Sequence, residues 1–456
     1  MTDQTTARRR RRVWSLAAAT AVVLLAVGLR PAAAWPEPGA SGPYQVSELD
    51  YNLGDTAFHV PGFHQSQDTS PLAGIELAAD VHYPAGLRGG PYPLVVLLHG
   101  YWATCDDHAA ADIAARGEAA AATTTDPAEL DRLYQEITAA YTKLYQWPCP
   151  PGTPALPSFR GLDYVAHQLA AHGMVVISIS ANGINAGQIG DAADNARAAL
   201  INKHLDMWRQ LVRTGGGPLA GKLTDPGTHR PRAVDFTGRV DLHRVGTLGH
   251  SRGGRAVAYQ AADVHRAGIP SGVHIAAVLA LAPAGAGTAT EPGSPDAPAY
   301  RVTSAPLAVW LGTCDGATGD QGQDYVDLAA GHTTDPVYRW RVSGANHNFL
   351  NTEWSPSSGR ATAADDFAQT AAAHGLTRPG PGLCGEIQSS PAAAPSLSWT
   401  NVTRQLTEAR ERQVAAGYIT AYFTRTLLGD TAQEAAISGA AHPYAAITAI
   451  DASRIG

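Results

Sequence analysis

The chain has 456 residues with a formal charge of −7, 45% hydrophobic and 16% charged, a balance that buries a sizeable core and excludes wholesale disorder. Gly 47 and Pro 31, with no collagen-like period, promise long irregular connections. Length alone allows two or three domains of about 150 residues, although large α/β folds run longer as one.

The N-terminus carries Arg8 to Arg12, then an apolar run from Val13 to Leu29, then Pro31-Ala32-Ala33-Ala34. A positive segment, a short apolar segment and an Ala-x-Ala end predict an export signal over residues 1–34, and Arg11-Arg12 also fits a twin-arginine type. The alternative is an uncleaved membrane anchor, at the lower limit of the ~17–25 apolar residues that span a bilayer. Cleavage removes six Arg and one Asp and leaves 27 basic against 39 acidic residues, a net −12. That balance argues against a nucleic-acid partner. Beyond the leader, no stretch is long and apolar enough to span a membrane. A secreted protein is expected.

Residues 35–70 are rich in Pro and Gly and are expected to wrap the surface. Ile75–Tyr83 reads as a strand, and Pro93–Leu98 as a nearly continuous apolar one. Further runs at Met174–Ser180, Arg244–Leu248, Ile275–Leu281, Leu307–Leu311 and Val337–Val342 have the length and bounding residues of strands buried on both faces. Helical patterns lie between them at Gly161–Ala171, Asp191–Val212 and Arg252–Val264, and a long one closes the series at Val402–Leu428. This alternation predicts an α/β protein with a mostly parallel central sheet flanked by helices. One domain over residues 35–456 accounts for it, with inserts at about 101–159, 214–238 and 350–400. The first insert carries its own helix at about Pro127–Gln146. Segments of this length inside a compact domain are lids, binding loops or disorder.

Cys105, Cys149, Cys314 and Cys384 are an even set in a chain expected to be exported, which favours disulfides among three possible connectivities. Pairing Cys105 with Cys149 and Cys314 with Cys384 is preferred, because each pair brackets one long excursion. The alternative is four buried free thiols. No pair has the spacing of a zinc knuckle or a thioredoxin-like motif.

The strongest chemical signal is Gly249-His250-Ser251-Arg252-Gly253, directly between the Arg244–Leu248 strand and the following helix. Gly-x-Ser-x-Gly in this context sets a serine on a tight strand-to-helix turn, and the glycines let strand and helix approach closely. The helix N-terminus favours negative charge developing there. A serine hydroxyl needs a base held against it. Among 17 histidines, His347 stands in a Gly-containing loop just past the Val337–Val342 strand; His332 and His374 are less well placed. The orienting acid is expected at the end of the preceding strand, where Leu311-Gly312-Thr313-Cys314-Asp315-Gly316 puts Asp315. Its carboxylate would fix the imidazole tautomer. Asp320 and Asp324 compete for the role.

Ser251, Asp315 and His347, in that order on successive strand ends, resemble the α/β-hydrolase superfamily. The likeness spans roughly Ile75 to Leu428, interrupted by the inserts. With the export signal and Cys314 beside the acid, it is closest to secreted bacterial esterases, lipases and polyester hydrolases, and the 101–159 insert is a departure. The resemblance implies an oxyanion hole from the backbone N–H of Arg252 and of Tyr101, with Trp102 the alternative. Leu98-His99-Gly100-Tyr101-Trp102 looks like the His-Gly turn of lipases, with His99 and Gly100 shaping the loop. Tyr101, Trp102 and Trp354 are candidates to line an apolar acyl or aromatic pocket; the alternative is ordinary packing under the inserts.

The expected function is hydrolysis of carboxylic esters, of small-molecule, lipid or polyester type, through an acyl-enzyme. No metal or organic cofactor is implied. The alternatives are an acyltransferase or a peptidase on the same scaffold, or a binding protein that has kept the fold.

Overall fold

The computed structural model describes residues 41–66, 70–286, 297–390 and 396–455. The chain divides into two compact units after Trp35, and every described residue lies in the second, Pro36–Gly456. The expected export signal over residues 1–34 lies outside the described residues. No helix among the described residues is long and apolar enough to cross a membrane.

Eleven strands occur among the described residues: β1 Val46–Asn52, β2 Ala78–Pro84, β3 Tyr92–Leu98, β4 Val175–Ile179, β5 Val240–His250, β6 Ile275–Leu281, β7 Leu307–Gly312, β8 Val337–Val342, β9 Leu383–Ser390, β10 Ser396–Arg404 and β11 Ile450–Ile455. Nine form one sheet in the order β1-β2-β4-β3-β5-β6-β7-β8-β11, and β9 and β10 form a separate hairpin. The six strands from β4 to β8 in that order run parallel, while β1, β2 and β11 add antiparallel edges. β3 shows why apolar runs become central strands. All seven of its residues are buried, with Leu94, Val96 and Leu98 in the core on one face and Val95 and Leu97 in the core on the other. Helices on both faces leave no wet side to such a strand.

The helices are α1 His108–Ala121, α2 Pro127–Leu144, α3 Asp163–Ala171, α4 Asn182–Asn185, α5 Asp191–Thr214, α6 Arg252–Ala261, α7 Gln323–Ala329, α8 Asp366–Ala373, α9 Glu408–Leu427 and α10 Glu434–Ile437. α5 and α6 pack into one core, α3 and α9 into the other. From β3 the chain crosses to β4 on one side, then returns to β5 on the other. At such a switch point the crossovers diverge and leave a crevice outside the carboxyl ends of the strands. The residues that follow β3 and β5 border this crevice.

Several boundaries differ from expectation. Residues 35–70 contain β1, an edge strand whose polar alternation, Val46-Ser47-Glu48-Leu49-Asp50, hides it among loop residues. The strand expected from Ile75 begins at Ala78 as β2, and β5 starts at Val240 rather than Arg244. The final long helix starts at Glu408, not at residue 402, because the Thr407 side chain caps it by accepting from Arg410 N. Residues 402–404 belong to β10 instead. The 101–159 insert holds two packed helices, α1 and α2. The 350–400 insert, read as irregular, contains α8 and β9 and the start of β10. Both disulfides pair as expected, Cys105 with Cys149 and Cys314 with Cys384, at Cα separations of 5.6 and 5.5 Å.

Candidate active site

Ser251 lies between the end of β5 and the start of α6 at φ 58°, ψ −124°, a left-handed conformation costly for any residue with a Cβ and held only where the surroundings enforce it. The enforcement is visible. Ser251 N donates to Leu281 O at 2.9 Å, and Ser251 O accepts from Arg255 N and Ala284 N at 3.1 and 3.2 Å. A Cβ at Gly249 would lie 1.9 Å from Gly253 O, and one at Gly253 would lie 2.5 Å from Leu98 O. The two glycines of the motif are therefore what lets β5, α6 and the end of β3 converge under the serine.

His347 follows β8 and Asp315 follows β7. Asp315 Oδ2 accepts from His347 Nδ1 at 2.9 Å and from the Thr318 hydroxyl at 2.8 Å. Its Oδ1 accepts from Ala317 N and Thr318 N at 2.9 and 2.7 Å. Burial opposes ionisation of Asp315, but the charge and hydrogen bond of His347, helped by Thr318, hold its carboxyl below the usual range. The same pairing outweighs burial at His347 and raises its imidazole above the ordinary value, with Asp366 contributing. His347 thus donates from Nδ1, leaving Nε2 as its basic nitrogen. The ring of His250, the residue before the serine, lies tilted against those of His347 and Trp354, with centroids 4.6 and 5.0 Å away. Burial lowers its basicity well below normal, so it adds no competing charge beside His347.

The loop after β3 closes the other side. His99 Nε2 accepts from Ala181 N at 2.8 Å, which places the ring proton on Nδ1 facing Gly100 O at 3.0 Å. Asn185 Nδ2 also donates to Gly100 O, at 3.0 Å, and to Trp102 O at 3.2 Å, and Arg197 holds Asn185 Oδ1 at 2.7 Å. The Gly100 carbonyl is thereby anchored inward. Because C=O and N–H point oppositely across a trans peptide, the Tyr101 N–H of the same peptide points away from that anchor. A Cβ at Gly100 would lie 2.6 Å from both His250 O and Ser251 Cβ and 3.1 Å from Arg252 N, so this peptide abuts the serine turn. Arg252 N belongs to the first turn of α6, where backbone donors face outward from the helix end.

Ser251 and His347 share a cavity of about 390 Å³ with Tyr101, Trp102, Tyr145, Arg252, Thr318 and Gln321 among its lining residues. Tyr145, from the 101–159 insert, stacks on Tyr101 at 5.3 Å. Trp102 reaches this cavity, whereas Trp354 does not line it. Trp354 is fully buried, stacks on Trp102 at 5.2 Å and donates from Nε1 to Ser158 Oγ at 2.9 Å. It backs the wall instead of forming it, because a large apolar ring next to a strand-end loop gains more from full burial.

Two carboxyl groups that sequence reasoning missed brace the His347 loop. Asp366 Oδ1 accepts from His347 N and Asn348 N at 2.9 and 3.1 Å, and its Oδ2 accepts from Gly316 N at 2.7 Å. One carboxyl thus spans the acid loop and the histidine loop. Burial, then the nearby Asp315, push it up to about 7. Glu411 Oε2 accepts from Asn346 N at 2.8 Å, and burial raises it well above the usual range. Neither residue stands in a motif, and only the folded chain brings α8 and α9 to the loop.

A hydroxyl on a strained turn and an imidazole that line the same cavity, with a buried acid bonded to the imidazole, are the groups that can move a proton from oxygen to nitrogen and back. No known family model matches the chain, and no curated protein matches it closely enough to count as a relative.

Proposed function

We propose that the protein is an exported serine hydrolase of α/β-hydrolase type that cleaves carboxylic esters through an acyl-enzyme. The observation that carries this reading is the Asp315–His347 hydrogen bond set against a strained Ser251 in one cavity. Ser251 Oγ attacks the ester carbonyl carbon while its proton passes to His347 Nε2, and Asp315 stabilises the imidazolium. The Tyr101 and Arg252 N–H groups receive the oxyanion, each donor contributing about 2.7–4 kcal/mol to the transition state. Collapse breaks the bond to the alcohol oxygen, which leaves with the proton from His347. Water, deprotonated by the same nitrogen, then attacks the acyl-enzyme and releases the acid and Ser251.

The cavity supports esters of modest size. Its volume sits at the lower end of the ~300–1,000 Å³ of small-molecule sites. The aromatic wall of Tyr101, Trp102 and Tyr145 suits an apolar or aromatic group, and Arg252, Thr318 and Gln321 suit a polar one. Two disulfides fit an oxidising compartment and so the proposed export.

The test is hydrolysis of short- and long-chain p-nitrophenyl esters, with and without an acceptor alcohol. Wild-type protein should release nitrophenol, faster from the short esters. Ser251→Ala should lose at least about 10³-fold in kcat, as removal of a nucleophile does. A folded Ser251→Ala variant with wild-type activity overturns the reading. Product ester formed in preference to acid would redirect it to acyl transfer.

A further inference from the structure

The other end of the sheet carries a cluster of ionisable groups that the ester chemistry leaves unused. In the antiparallel pair β1–β2, Glu48 stands opposite His82 and Asp50 opposite Asp80, so the four share one face. His82 pairs with Val176 near the start of β4, placing the cluster towards the N-terminal ends of the parallel strands, away from Ser251. α3 packs against this face and adds Asp163 and, one turn on, His167. Four carboxylates, Glu48, Asp50, Asp80 and Asp163, thus gather in one place. Arg160 is the guanidinium facing them, 2.6 Å from Asp50 and 3.7 Å from Asp163. Asp50 and Asp80 stand directly opposite, a destabilising arrangement of like charges, offset in part by Arg160 and by Asp163, whose carboxyl burial and then the nearby Asp80 push up to about 9.

His82 gives the cluster its direction. It is 2% exposed, and its Nε2 lies 2.7 Å from Asp80 Oδ2. An ionised carboxylate only accepts, so in the neutral ring Nε2 carries the proton and Nδ1 presents a lone pair. That Nδ1 is buried and makes no hydrogen bond among the described residues. It faces Glu48 Oε1 at 3.6 Å, too far for a hydrogen bond, and the same oxygen lies 3.9 Å from His167 Nδ1. The three ligand atoms lie within 4.8 Å of one another. Ligands bound at about 2.0–2.2 Å in a tetrahedral site stand about 3.4 Å apart, so Glu48 would close on the two imidazoles by about half an ångström or less and the imidazoles on each other by up to about 1.4 Å, a movement open to the exposed Glu48 and His167 side chains.

We propose that Glu48 Oε1, His82 Nδ1 and His167 Nδ1 bind a zinc-type divalent cation, with water as the fourth ligand and Asp80 orienting the His82 ring through Nε2–H. Two imidazoles and one carboxylate suit zinc, and a carboxylate behind a ligating histidine is the usual support for such a site. Glu48 and His167 are 48% and 57% exposed at their side chains, so the ion enters from solvent without disturbing the core. The ion would tie the β1–β2 edge to α3. This inference is independent of the hydrolase reading.

The full chain, stripped with a chelator, is titrated with ZnCl2 by calorimetry and with CoCl2 by visible absorption. One Zn²⁺ per chain, a submicromolar Kd, the intense visible band of four-coordinate Co²⁺ and a raised unfolding temperature with zinc are expected. His167→Ala and Glu48→Gln, both at exposed positions, should each weaken Zn²⁺ binding at least tenfold and remove the Co²⁺ band. Asp80→Asn should weaken it about 10- to 100-fold through the ring tautomer. Absence of Zn²⁺ uptake by the stripped wild type overturns the proposal. Unchanged Zn²⁺ affinity in both His167→Ala and Glu48→Gln also overturns it, by assigning the ion to other histidines.

Discussion

The two disulfides close loops of similar length but stand in different relations to the site, and this separates stability from chemistry. Cys105 and Cys149 are 44 residues apart, Cys314 and Cys384 70. Loop-closure entropy at these separations stabilises by about 4.0 and 4.4 kcal/mol, a difference of only about 0.4 kcal/mol. The first bridge ties together the ends of the α1–α2 insert, whose Tyr145 stacks on the cavity residue Tyr101. The second is joined directly to Asp315, and Cys314 N donates to Ala345 O in the histidine loop at 2.9 Å. Unfolding in denaturant, with kcat and KM on one ester measured well below either transition, compares the double variants C105A/C149A and C314A/C384A. Both should lose about 2–4 kcal/mol. C314A/C384A should also lose roughly 10- to 100-fold in kcat, because a displacement of about 1 Å between acid and base is costly. C105A/C149A should mainly raise KM. Wild-type kcat in folded C314A/C384A, or stability losses differing by more than about 2 kcal/mol, would refute the reasoning.

The pH profile offers a signed test. His347 must be neutral to act as base and its basicity is raised, so activity should fall as pH drops through a midpoint above the ordinary value near 6.5. Where ionised, Asp366 favours the imidazolium, but burial pushes its own carboxyl up to about 7, so Asp366→Asn should move this acid limb only slightly to lower pH; a limb that moves to higher pH contradicts the assignment. Gly100→Ala should lower kcat/KM on the order of 10²-fold and stability by about 1–3 kcal/mol, because its Cβ would lie 2.6 Å from Ser251 Cβ. Wild-type kcat/KM in that variant would show that the loop does not abut the nucleophile.

Legibility in the sequence followed burial. β3, β4, β6, β7 and β8 are fully or mostly buried, so their apolar runs announced themselves. β1, β10 and β11 are edge or hairpin strands with solvent on one side, and their Ser, Asp, Thr and Arg residues resemble loops locally. The motif around Ser251 was readable because its turn is made by residues adjacent in sequence. Asp315 and His347 were readable through the strands that precede them. Asp366 and Glu411 were not, since each reaches the histidine loop from 19 and 65 residues away and no local pattern marks a carboxyl that accepts distant backbone N–H groups. For Trp354 the sequence leaves pocket wall and packing open for a related reason, since an aromatic residue near a strand end can face the cavity or back it, and only the packing decides.

The central claim is that Ser251 is a nucleophile activated by His347 and Asp315. The most direct measurement is labelling of the full chain with a fluorophosphonate probe, followed by peptide mapping by mass spectrometry. One adduct per chain is expected, on the peptide containing Ser251, slowed in Asp315→Asn and absent in Ser251→Ala. A folded wild-type protein that takes no label, or takes it at another serine, contradicts it.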